Sequence, residues 1–363
     1  MERNSIFRYV FIVIFTGILS GSAVFSQIDE SMDIFDGGVE DGQAILTEYL
    51  RPWMNAFSAD LSAGWYNTAT VHKLGGVDVT FTVNISFVPE NAKTFDMSKI
   101  GLKNLEPVGS STIAPTVAGC TDEGPLLEYR AVNATDTVTL ASFRSPAGTG
   151  YDFVPSPMLQ AGIGLPAGTE IIGRLLIPVK VPETSVKMGL WGIGMKHSVS
   201  QWIPVLKRLP VGMSLFGGFT RMNVYAGFQL EPDSYDNLEN YRPADFTGQE
   251  ISAIIQAYTI DLIVSTNLPV INVFGGIGYG KTSTDIDVNG NIPIPGFHPD
   301  ISVTCPTFTD EDIHKIPGMK IANQSGLRFN AGIRLKLAAI TLHGDYTWAD
   351  YSIYTAGIGL SFR

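Results

Sequence analysis

The sequence predicts an all-β fold, an antiparallel transmembrane β-barrel of about 12–14 strands with a short N-terminal helical plug segment. Three observations carry that expectation. From Val77 to Phe87 every odd position is Val, Phe or Ile and every even one is Asp, Thr, Asn or Ser. Such alternation gives a strand one apolar and one polar face, and its length matches the roughly 9–11 residues a tilted strand needs to cross a bilayer. Second, no apolar run beyond residue 26 is long enough for a membrane helix. Third, the connections between candidate strands alternate between short and long, as barrel topology requires.

Taken in order, the chain opens with an export signal over 1–26. Arg3 and Arg8 form its charged region, Val10 to Leu19 its apolar core, and Val24-Phe25-Ser26 offers small groups near a cut before Gln27. A retained membrane helix is the alternative. Residues 27–76 form the plug or hatch segment, and 77–363 the barrel. Within the first, Leu46, Tyr49, Leu50, Trp53, Met54, Phe57 and Leu61 draw one apolar stripe down a helix. Pro52 is expected to break or kink it. The stripe fits a helix on a soluble core as well as a plug against a barrel mouth.

Further alternating stretches cover 125–132, 135–143, 151–158, 169–181, 186–200, 211–229, 250–265, 269–281, 327–337, 340–348 and 354–362. With Val77 to Phe87 these make twelve, an even number, and 89–124 has room for two more. With the C-terminus in the periplasm, the connections 338–339, 266–268 and 201–210 fall on that side. The long ones, 282–325, 230–249 and 89–124, fall outside. This asymmetry is the one expected of outer-membrane barrels.

Composition fits a barrel without requiring it. The 38 Gly, 13 Tyr and 20 Phe suit tight turns and interface girdles. Removing 1–26, with two Arg and one Glu, takes the net charge from −11 to −12, which argues against a nucleic-acid partner. The expected partners are outer-membrane lipid, the barrel-assembly machinery and a small hydrophobic ligand.

Chemistry-bearing motifs are sparse. There is no Gly-x-Ser-x-Gly elbow, no His-Glu-x-x-His and no phosphate-binding Gly loop. The five His are scattered without metal-ligand spacing, so no catalytic residue, metal or cofactor is assigned. A Ser and a His brought together from neighbouring strands would escape such a search. Asp285-Ile286-Asp287-Val288-Asn289-Gly290 starts like a calcium loop but lacks its closing Glu; an Asn-Gly hairpin turn is the alternative. Asp310-Glu311-Asp312 with His314 reads as a solvated acidic face. Cys120 and Cys305 fall in predicted outer loops, where they either pair or stand as separate thiols.

Two stretches carry a resemblance: Gly64-Trp65-Tyr66-Asn67-Thr68-Ala69 followed by His72-Lys73, and Gly194-Met195-Lys196-His197-Ser198-Val199-Ser200-Gln201-Trp202-Ile203-Pro204. They resemble an uncharacterised outer-membrane barrel family of Bacteroidota, from about residue 35 to the end. The resemblance implies location and fold, with no established activity. In layout alone, the helical segment before the first strand is similar to the long-chain fatty acid transporter class, whose N-terminal hatch plugs the barrel. Arg363 after Phe362 departs from the aromatic ending common in such barrels.

Trp65 and Tyr66 read either as girdle aromatics or as a plug contact that gates passage. Lys196 and His197, near Trp202, are either solvated polar residues or the lining of a ligand path. Asn272 and Phe274 share a strand face with Val270 and several Gly, a mixed lumen unlike that of a water-filled porin. Passage of small hydrophobic molecules is the first functional expectation. A structural or interaction barrel is the second, and a soluble secreted sandwich the third.

Overall fold

The computed structural model describes residues 34–35, 37–132, 137–180, 185–232, 234–294, 309–321 and 325–362. The expected export signal and Cys305 lie outside these residues; Cys120 is exposed on the outer side.

Among the described residues, ten strands close a barrel: β1 (Val77–Phe87), β2 (Phe153–Leu165), β3 (Thr169–Lys180), β4 (Val186–Ser198), β5 (Val211–Gly227), β6 (Glu250–Thr266), β7 (Ile271–Asn289), β8 (Ser325–Leu337), β9 (Ile340–Trp348) and β10 (Ser352–Phe362). Each pairs antiparallel with its sequence neighbour. The β1–β10 ladder, from Val77↔Phe362 to Phe87↔Ser352, shuts the cylinder. The alternation in β1 sets its orientation: Thr80, Thr82, Asn84 and Ser86 are buried in the lumen, while Val79 and Phe87 are exposed. Ile193, Met195, Ile260, Ile333 and Ile358 continue the outward apolar band, the surface a lipid environment demands.

The strand number is ten rather than twelve to fourteen. Leu126–Val132 and Thr137–Arg144 form a hairpin that pairs with Leu105–Val108 in a separate three-stranded sheet. That sheet belongs to the β1–β2 connection. Removing two strands leaves the parity intact, so the connections expected on one side still share one end. The strand ends joined by 166–168, 199–210, 267–270 and 338–339 lie at one end; those joined through 88–152, 181–185, 228–249, 290–324 and 349–351 lie at the other. β7 also runs further than expected, so Asp285 to Asn289 are strand residues paired with β6, and the positive-φ Gly290 ends the strand. They form no encircling loop. Asp310 accepts from the backbone N–H groups of Glu239 and Asn240 (3.0 and 3.2 Å) and ties two outer connections together.

Helix α1 (Val39–Ser62) runs unbroken through Pro52. It touches β1, β2, β5, β6 and β7, so it lies inside the barrel. Its Ile45, Leu46, Met54, Phe57 and Leu61 pack with inward-facing Leu176, Met188, Leu190, Met222, Ile255 and Ile286 of the wall. Burying five such side chains stabilises the seat by on the order of 10 kcal/mol. That exceeds the roughly 3 kcal/mol an interior proline costs. No described helix is long and apolar enough to cross a membrane.

Candidate functional site: the threaded lumen

Residues 37–76 pass through the barrel from the long-loop mouth to the short-turn mouth. At the outer end the Asp41 carboxylate accepts three backbone N–H groups, from Lys103, Asn104 and Leu105, each at 2.8 Å. Further in, Tyr49 donates to Ala147 O (2.8 Å). At the helix end the last carbonyls lack intrahelical donors, and the macrodipole is negative. Two wall arginines answer both needs: Arg174 donates to Leu61 O and Ala63 O (3.1 Å each), and Arg328 donates to Ser62 O. Asn84 donates to Asp60 O, and Ser156 to the Asp60 carboxylate, both at 2.7 Å.

Below the helix the chain is extended. Trp65 is buried under the Arg174 guanidinium, 3.4 Å from its ring centroid, and packs 5.2 Å from Phe216. Gly194 and Gly218 make room for this stack: a Cβ on either would lie within 3 Å of the Phe216 ring. Tyr66 donates to Asn330 Oδ1 (3.1 Å) and meets Phe274 edge-on at 6.5 Å. Trp65 and Tyr66 of the thread therefore pack against Phe216 and Phe274 of the wall, inside the barrel. Asn272 is separate; it faces inward and binds Leu268 N and O (2.7 and 3.0 Å), closing the 267–270 turn.

Lys196 and His197 part company because adjacent strand residues face opposite ways. Lys196 is buried in the lumen, 3.2 Å from Glu170. His197 faces outward, with Trp202 stacked on it at 5.0 Å, away from the lumen path. Lys196 instead joins a group that no local motif announces. His72 Nδ1 lies 3.0 Å from Glu170 and 3.7 Å from Asp78, its backbone N–H donates to Glu170 (3.0 Å), and its Nε2 lies 3.2 Å from Ser361 Oγ. His72, Asp78 and Glu170 are close enough to share a metal ion. Lys196 already occupies the second Glu170 oxygen, however, and a buried dication would compete with that cation. The arrangement works as a clasp that ties the end of the thread to β1, β3, β4 and β10.

Two cavities flank Arg328. One is a gap of about 10 Å³, room for about one water, lined by Ser62 to Tyr66 of the thread with Asp261, Asn330 and Thr347. The other, about 60 Å³ and open to solvent, lies between Ser58, Ala59 and Ser62 of α1 and the wall at Thr282, Leu327 and Ile353. Leu327 is 64% exposed and points outward, so this cavity reaches the open edge of β8. It can do so because β8 pairs with β7 from Ser325 onward but with β9 only from Phe329. Above Trp348 the β9–β10 hairpin turns back and leaves a notch. Both cavities are lined in part by Ser62 and Arg328.

Fold and lumen together define a plugged barrel of the outer-membrane type. The chain belongs to the family of unknown function DUF6588, which matches residues 3–362. No curated protein matches. Among solved structures, the β domain of the Bordetella autotransporter BrkA is 8% identical, with a TM-score of 0.33 over 79% of this chain and 99% of that one. OprG of Pseudomonas aeruginosa is 10% identical (TM-score 0.28; 82% and 100% covered). The protease OmpT of Escherichia coli is 8% identical (TM-score 0.30; 79% and 97%).

Proposed function

We propose that this protein admits small apolar or amphipathic molecules through an outer-membrane barrel whose resting lumen is closed by its own N-terminal segment. The observation that carries this reading is the solvent-open cavity between α1 and the β8/β9–β10 notch. Its lining pairs apolar Leu327 and Ile353 with the hydroxyls of Ser58, Ser62 and Thr282, a mixture suited to a ligand with one polar end. Expelling the whole helix would forfeit its packing, so the molecule passes beside the thread. Arg328 is the gate between the outer and inner cavities.

The test is uptake of an apolar dye into vesicles carrying the full-length protein. Ala59→Phe, which fills the outer cavity, should abolish uptake while leaving thermal stability unchanged. Unaltered uptake would remove the cavity from the path.

A second reading is a structural or interaction barrel. The continuous apolar packing of α1 against the wall favours it, since a lumen filled like a soluble core needs no traffic. It predicts no uptake in wild type or variant, with function residing in the outer sheet at 105–144.

A further inference from the structure

The connections at the short-turn end differ in size. Three are tight turns of three, four and two residues, 166–168, 267–270 and 338–339, whereas the fourth spans twelve, 199–210. This long one is an ordered structure. Two 3₁₀ turns, Ser200–Trp202 and Leu206–Arg208, are held by a ladder of backbone bonds. Ser200 Oγ donates to Met213 O (3.1 Å) and accepts from Met213 N (2.6 Å), and Pro210 O accepts from Asn267 N (2.7 Å).

Its exposed side chains are of the wrong kind for a solvated turn. Trp202 is 67% exposed, Val205 68% and Leu209 51%. In a chain of net charge −11, 199–210 contains Lys207 and Arg208 and no acidic residue, and Arg208 is exposed. The face also has a direction. Trp202 stacks on His197, which lies on the outward side of β4 directly below Met195 and Ile193, and Leu215 of β5 pairs beside it. Gln201 and Thr169 hold the His197 ring in place (3.1 and 2.8 Å). The apolar surface of the connection is therefore continuous with the lipid-facing band of the barrel.

We propose that 199–210 is an interfacial foot that lies in the head-group region of the bilayer leaflet at the short-turn end and prefers anionic phospholipid. Trp202 sits at head-group depth, where amphipathic rings are favoured. Val205 and Leu209 reach the upper acyl chains, and Arg208 meets lipid phosphate. This inference rests on the membrane orientation of the barrel and is independent of any transport role.

The experiment uses full-length protein in phosphatidylcholine vesicles, with and without phosphatidylglycerol. The emission of Trp202 is isolated as the difference between wild type and Trp202→Phe, a conservative change that keeps a ring on His197. Lipids brominated near the carbonyls should quench that component, and aqueous iodide should leave it largely untouched. Arg208→Gln should lower phosphatidylglycerol retention about fivefold, the factor one surface cation carries at an anionic leaflet. A Trp202 component quenched by iodide and untouched by brominated lipid would overturn the proposal and mark the face as free for a soluble partner. Unchanged lipid retention in Arg208→Gln would overturn the anionic preference.

Discussion

Arg328 on β8 and Asp261 on β6 form a buried ion pair, Nη2 to Oδ2 at 2.6 Å, across the whole width of β7. Gly278 lies between them in register, opposite Asp261 on one side and Arg328 on the other. A Cβ there would stand 1.8 Å from the Asp261 carboxylate. The missing side chain is what lets the pair close, and the closed pair places Arg328 against Ser62 of the plug.

Gly278→Ala should therefore break the bridge by steric contact. Losing one partner of a buried charge pair costs about 3–5 kcal/mol. A lower thermal midpoint together with faster proteolysis of α1 is the expected result, and Gly173→Ala, outward-facing on β3 with nothing within 4 Å of an added Cβ, serves as the control. Equal effects at both positions would deny the bridge its role.

The clasp at the inner mouth gives a second expectation. Lys196→Met removes the ammonium partner of Glu170, so the thread around 70–76 should loosen. Deuterium exchange should rise there and stay unchanged in α1, which is seated separately by apolar packing. Uniform exchange across both would mean the thread moves as one body.

Orientation is tested at β1. A cation at mid-bilayer costs about 2–4 kcal/mol, so Phe81→Lys should block assembly into vesicles. Thr82 faces α1 and is fully buried; Thr82→Lys should assemble but displace the plug, read as new protease sensitivity of 39–62. Failure of both variants at the assembly step would contradict the inside–outside assignment.

In the outer connection, hydrogen bonds from Ser98 and Thr112 hold the Asp96 carboxyl well below the ordinary carboxylate range. Because the folded value is depressed, this stabilisation is present above the unfolded value near pH 4 and is lost as pH falls through the folded one. Order in 94–115 should persist to lower pH in wild type than in Asp96→Asn, as followed by amide exchange. Matching acid profiles would remove the carboxylate from the account.

How much of this was legible in the sequence follows from which contacts are local. The β1 face is written in consecutive residues, and the sidedness follows from connection lengths. The hairpin at 126–144 alternates just as barrel strands do, and only its pairing with 105–108 sets it outside the wall. The stripe on α1 announces that the helix has a partner without saying that the partner is the inside of a barrel. One residue of offset separates lumen-facing Lys196 from outward His197, which a Gly-rich strand leaves unfixed. The Asp261–Gly278–Arg328 row and the His72–Glu170–Ser361 group join residues on separate elements, so no spacing along the chain marks them. The glycines look like turn formers in sequence; several instead clear space inside the barrel.

The most direct test of a plugged barrel gated at Arg328 is apolar-dye uptake, recorded with single-channel current, for full-length wild type and Arg328→Ala in the same vesicles. The account predicts no steady current from wild type and a several-fold rise in dye uptake when the Arg328 side chain is removed. A steady open-pore current in wild type, or identical uptake in both, would contradict it.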